Sequence, residues 1–79
     1  MSFMPNSPED RGGVPADFVA AVLRAIPSGK REAARNVIWN PLDWGRAANV
    51  LAAAIAAWRS GQKARAVMLA VKALLTLLL

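Results

Sequence analysis

Arg59, Lys63, Arg65 and Lys72, together with Trp39, Trp44 and Trp58, are the side chains of this sequence best equipped for recognition. Guanidinium and ammonium groups attract phosphate, carboxylate or lipid headgroups, and tryptophan carries an apolar ring with a polar N–H that suits protein contacts and membrane interfaces. The groups that catalysis needs are scarce. There is no His and no Cys, which removes the usual neutral-pH acid/base, the thiolate nucleophile, the commonest metal ligands and any disulfide. The five carboxylates, Glu9, Asp10, Asp17, Glu32 and Asp43, are scattered along the chain. The composition therefore points away from an enzyme, a metal site, a cofactor or a small-molecule substrate.

Charge points to anionic partners. The net charge of +5 is uneven: residues 1–27 hold Arg11 and Arg24 against three acids, whereas residues 28–79 hold eight cations against Glu32 and Asp43, a balance of +6. Those eight cations are spread over fifty-two residues, so the dense basic cluster of a nucleic-acid interface is missing. Gly61 with Lys63 and Arg65 could hold a phosphate, but the glycines of a phosphate loop are absent, and a solvated basic turn is the simpler reading.

Four helical segments must position these side chains, and the chain punctuates them itself. Pro15 and Asp17 precede a helical stripe of Phe18, Val19, Val22, Leu23 and Ile26 that Pro27 stops, giving a first helix over about 16–26. Ser28 and Gly29 offer an N-cap for a more polar second helix over Lys30–Trp39. Asn40-Pro41-Leu42-Asp43 combines an N-cap residue, proline at the first helical position and an early acid, so a third helix is expected from Pro41 to Arg59. Its apolar face holds Trp44, Ala47, Ala48, Leu51, Ile55 and Trp58, with Arg46, Asn49 and Ser60 opposite. Gly61 is a C-cap candidate, and the Ser60–Gln62 turn is short enough to fold a fourth helix, about 62–79, back as an antiparallel hairpin. In that helix Val67, Val71, Leu74, Leu75 and Leu78 share one face, with Arg65, Lys72 and Thr76 opposite. The chain also holds seventeen alanines, and Ala48, Ala52 and Ala56 recur every four residues, a spacing that either reflects helix propensity or lets two helices approach closely.

The expected fold is thus all-α: a single small helical domain over residues 15–79 of three to four short helices, ending in the hairpin, behind a flexible or extended leader over 1–14. That leader has no apolar run and resembles neither a secretory signal nor an Arg-rich transit peptide, so an intracellular location is expected, with membrane association left open. The longest uncharged apolar stretches, Val50–Trp58 and Ala73–Leu79, are shorter than the ~20 residues needed to cross a bilayer. A C-terminal Leu77-Leu78-Leu79 without a polar tail nonetheless asks to be covered.

Three functional classes fit. The first is a non-enzymatic accessory or assembly subunit docking through Trp39, Trp44, Leu51, Ile55, Trp58, Val67, Val71, Leu74, Leu75 and Leu78, with Arg59, Lys63, Arg65 and Lys72 meeting anions or lipid headgroups. Its partner would be a larger protein complex, a second copy or an anionic membrane surface. A basic nucleic-acid-binding module and a cationic, bacteriocin-like membrane-disrupting peptide are the alternatives. The first accounts for the apolar C-terminus, the tryptophans and the missing catalytic groups together, and is preferred.

Overall fold

The computed structural model describes residues 10, 11 and 13–79. The flexible leader expected over 1–14 lies outside the described residues at positions 1–9 and 12. Around that gap, β1 (Asp10–Arg11) and β2 (Val14–Pro15) form a short antiparallel pair, with Arg11 opposite Val14. Helices α1 (Ala16–Ala25), α2 (Ser28–Ile38), α3 (Ala48–Arg59) and α4 (Lys63–Leu77) follow. The architecture is all-α and closes with an antiparallel hairpin of α3 and α4, as the periodicity predicts. Val14, which the sequence assigns to the leader, is fully buried in the core.

Proline ends α1 through the residue before it. Ile26 is extended at φ −98°, ψ 139°, the conformation that a following proline favours. The carbonyls left over at this helix end are met by Arg31 of α2, whose Nε donates to Leu23 O (2.8 Å) and whose Nη2 donates to Ile26 O (2.9 Å). Helix α2 starts slightly earlier than predicted. Pro27 occupies the capping position and its carbonyl accepts from Lys30 N at 2.9 Å, so Ser28 and Gly29 lie inside the first turn.

The segment after Asn40 departs from the sequence expectation. No continuous helix starts at Pro41; two 3-10 turns, Pro41–Asp43 and Gly45–Ala47, come first, and α3 begins at Ala48. Asn40 does not cap through its side chain, and its Nδ2 instead donates to Asp43 Oδ2 (2.9 Å). Gly45, at φ +53°, takes a left-handed backbone conformation that interrupts the right-handed run. The ring N–H of Trp44 donates to Val37 O (3.0 Å), fastening this corner to the end of α2.

The other end of α3 behaves as the sequence suggests. Gly61 adopts φ +93°, Gln62 N donates to Ala57 O (2.9 Å), and Gly61 N donates to Trp58 O (3.1 Å). This paired Schellman arrangement satisfies the last carbonyls and reverses the chain within three residues.

The hairpin packs on a face rotated from the one that the large aliphatics mark out. In α4 the buried residues are Ala66, Ala70, Ala73 and Leu74, a strip displaced by roughly a quarter turn from Val67, Val71, Leu75 and Leu78. Those four are half-buried along its flank. Toward α4, α3 and the turn before it present Ala47, Leu51 and Ala54, all buried. Ala47, Leu51, Ala54 and Trp58 are spaced by four, three and four residues, and so are Ala66, Ala70, Ala73 and Leu77. That is the seam period of helices packed side by side, and small side chains along it let the two backbones approach closely. The Ala48, Ala52 and Ala56 row is not the seam, because Ala52 and Ala56 are exposed. Phe18, Val22, Ile26 and Ile38 of α1, α2 and their junction complete the core, and every buried residue among those described is apolar.

Leu51→Ala and Leu74→Ala should each lower unfolding stability by about 2–5 kcal/mol through lost burial and the cavity left behind. Ala70→Leu should cost about 1–3 kcal/mol by overfilling the seam, while Ala52→Leu on the exposed side should change stability by less than about 0.5 kcal/mol. Urea denaturation followed by far-UV circular dichroism distinguishes the three classes of substitution.

Candidate functional site

Several residues predicted for the interface are part of the folded core. Leu51, Leu74 and Trp44 are buried and cannot meet a partner without unfolding. Ile55, Trp39 and Trp58 are half-buried against the same core. Burial also sorts the alternatives for the tryptophans: Trp44 fills the corner before α3, and Trp58 stacks edge-on against Phe18 with ring centroids 5.5 Å apart and planes at 63°.

The cations divide by what they touch. Arg59 Nη2 donates to Gly13 O (2.6 Å) and so ties the segment before β2 to the end of α3. Lys63 Nζ sits 4.8 Å from the centroid of Trp58, a cation–π contact across the hairpin turn. Both predicted anion contacts at this end of the hairpin are therefore engaged in holding the fold. Arg65 and Lys72 are exposed, and their side chains have no hydrogen bond or ion pair among the described residues. Among the described residues, Arg31, which its residue type and spacing do not single out, is the other cation with a structural contact, at the end of α1.

The surface left for recognition lies along α4 and at the end of the hairpin where α4 finishes beside the start of α3. Met68 is 60% exposed, and Val67, Val71, Leu75 and Leu78 beside it are part-buried against the core, each leaving some of its apolar surface in solvent. At the far end, Leu42 is 92% exposed and Leu79 is 99% exposed. Between α4 and the start of α3 runs an open groove of about 330 Å³, with Ala47 and Val50 on one wall and Leu69, Ala73 and Leu77 on the other. Arg46 and Lys72 stand at its edge.

Among the described residues no three of His, Cys, Asp and Glu gather where a metal ion could bind. No helix among them is long and apolar enough to cross a membrane. The arrangement can bind apolar surface, and it can attract anions through Arg46, Arg65 and Lys72. Sequence periodicity misses Arg46 and the groove because it places Arg46 on the polar back of a continuous third helix; the Gly45 break re-aims it. The four-three-four spacing of the alanine seam is the available signal for which side of α4 turns inward.

A double-mutant cycle of Trp58→Leu with Lys63→Gln should give a coupling of about 0.5–1 kcal/mol in thermal or urea unfolding, the range of an exposed cation–π pair. A coupling indistinguishable from zero would mean that Lys63 is solvated and available to anions. No protein-family model, no curated protein and no solved structure matches this chain.

Proposed function

We propose that this protein is a non-enzymatic docking module, an accessory or assembly subunit that attaches through its C-terminal hairpin to a larger protein complex, to a second copy of itself or to an anionic membrane surface. One observation carries the reading: Met68 is exposed on α4 and Val67, Val71, Leu75 and Leu78 around it are only part-buried, so a row of aliphatic side chains keeps apolar area in water. A chain of 79 residues buries a small core and gains little by leaving such a row in water.

The positions of the other recognition groups support the same choice. Nucleic-acid binding would need a broad set of convergent free cations, yet Arg59 and Lys63 hold the fold and the main groove is lined by two, Arg46 and Lys72, among aliphatic walls. A membrane-disrupting peptide would present its tryptophans to lipid, whereas Trp44 is buried and Trp58 is stacked on Phe18.

The expected behaviour of the full chain in dilute buffer is self-association or dependence on detergent, read by size-exclusion chromatography with light scattering. Replacing Leu42, Met68 and Leu79 together by Gln should yield a soluble monomer with an unchanged circular dichroism spectrum, because all three side chains are exposed. A parent chain that is already a monodisperse monomer, and that binds neither protein nor vesicle, would contradict the docking reading.

A further inference from the structure

The groove between α4 and the start of α3 has a composition of its own. Its walls are aliphatic, from Val50, Leu69, Ala73 and Leu77, and its edge carries Arg46 from the second 3-10 turn and Lys72 from α4. Neither cation has a hydrogen bond or ion pair with any described residue, and no carboxylate lines the groove. Thr76, also on the lining, directs its hydroxyl to Lys72 O at 2.8 Å, so it does not add a free donor to the walls. An occupant complementary to this lining has an extended apolar part and an anionic head.

The surroundings select among occupants with that chemistry. The antiparallel hairpin brings the end of α4 beside the start of α3, so the exposed Leu79 lies at the same end of the molecule as the groove. Leu42, 92% exposed, is four residues from Arg46 along the chain, and Val50 on the groove wall is 39% exposed. Exposed aliphatic side chains around two unpaired cations match the layering of a bilayer surface, with acyl chains below and phosphates level with the basic groups. A second copy docked symmetrically on this face would bring its cations toward these.

We propose that this groove binds an anionic phospholipid of a membrane leaflet, with an acyl chain along Val50, Leu69 and Leu77 and the headgroup phosphate held by Arg46 and Lys72. The assignment rests on the docking reading and specifies which of its surfaces meets lipid. Attachment would be peripheral, since α4 spans only Lys63–Leu77 and a bilayer crossing needs about 20 residues.

The test uses the full chain, with detergent removed in the presence of large unilamellar vesicles, and measures co-sedimentation. Vesicles of phosphatidylcholine containing a third phosphatidylglycerol should bind the protein, and pure phosphatidylcholine should bind it much more weakly. Arg46→Ala and Lys72→Ala should each reduce binding about fivefold, and together about 25-fold, as expected for cations at an anionic leaflet. The charge-matched pair Arg24→Ala and Lys30→Ala, both exposed and outside the groove, should change it by less than about threefold, with circular dichroism confirming that every variant is folded. Excess inorganic phosphate should not displace the protein, because the ion supplies no acyl chain. Equal loss in the two pairs would overturn the groove assignment in favour of bulk charge attraction. So would binding of an acidic amphipathic peptide that Arg46→Ala and Lys72→Ala abolish while vesicles stay inert. A chain that ignores both vesicles yet assembles with itself through the outer row of α4 would refute the lipid site and leave the docking reading standing. A chain inert to vesicles, to itself and to protein would refute both.

Discussion

The close approach of α3 and α4 through alanine is the constraint on which the remaining structure depends. Ala47 and Ala54 on one side and Ala66, Ala70 and Ala73 on the other are all buried, and between them only Leu51 and Leu74 add fully buried bulk. A seam of methyl groups lets the backbones come near each other and gains many small dispersion contacts, but each alanine removes little apolar area from water. The larger side chains of α4 are consequently displaced to its flank. A helix that packs on its small residues carries most of its large ones at the margin of the core, where Val67, Val71, Leu75 and Leu78 are part-buried, and leaves Met68 in solvent.

The remaining elements close the two ends of this hairpin. At the turn, Gly61 reverses the chain, Lys63 lies over Trp58, Trp58 meets Phe18, and Arg59 holds Gly13, so α1 and the β2 approach are gathered onto the end of α3. At the opposite end, Gly45 breaks the chain and Trp44 anchors to Val37. The cations at the first end are therefore structural, whereas Arg46 and Lys72 at the second have no hydrogen bond or ion pair among the described residues. The proposed docking surface and lipid groove lie where the fold has left aliphatic and cationic groups without partners.

Most of the fold is legible in local sequence chemistry. Pro27, Gly61 and the apolar periodicities mark the helices and the hairpin, because proline and glycine act through the backbone whatever the tertiary context. Two features are not legible for the same reason: they depend on long-range packing. Large aliphatics dominate a hydrophobic stripe, so Val67, Val71, Leu75 and Leu78 draw the apparent apolar face away from Ala66, Ala70 and Ala73, which a second alanine-lined helix alone makes the better surface. The Asn40–Asp43 signal is a genuine turn signal, but Trp44 anchoring on α2 and the conformation of Gly45 stop it from propagating as α-helix. The candidate site is the least legible part. Trp44, Leu51 and Leu74 have the residue types of an interface and are needed by the core, and Arg46, next to the break, looks merely polar in a helical projection.

The orientation of α4 is the central claim, and the absence of native cysteine makes it directly measurable. Single cysteines introduced as Ala66→Cys, Ala70→Cys, Met68→Cys and Leu75→Cys can be labelled with a thiol-reactive reagent in the full chain under native conditions and again in urea. With the alanine face inward, the cysteines at 66 and 70 should be protected at least about a hundredfold relative to the unfolded chain, with protection limited by opening of the fold. Those at 68 and 75 should react within about tenfold of the unfolded rate in the detergent-dispersed monomer. Rapid labelling at 66 and 70 with protection at 68 and 75 would turn the helix over and contradict the alanine seam, the outward aliphatic row and the docking role built on it.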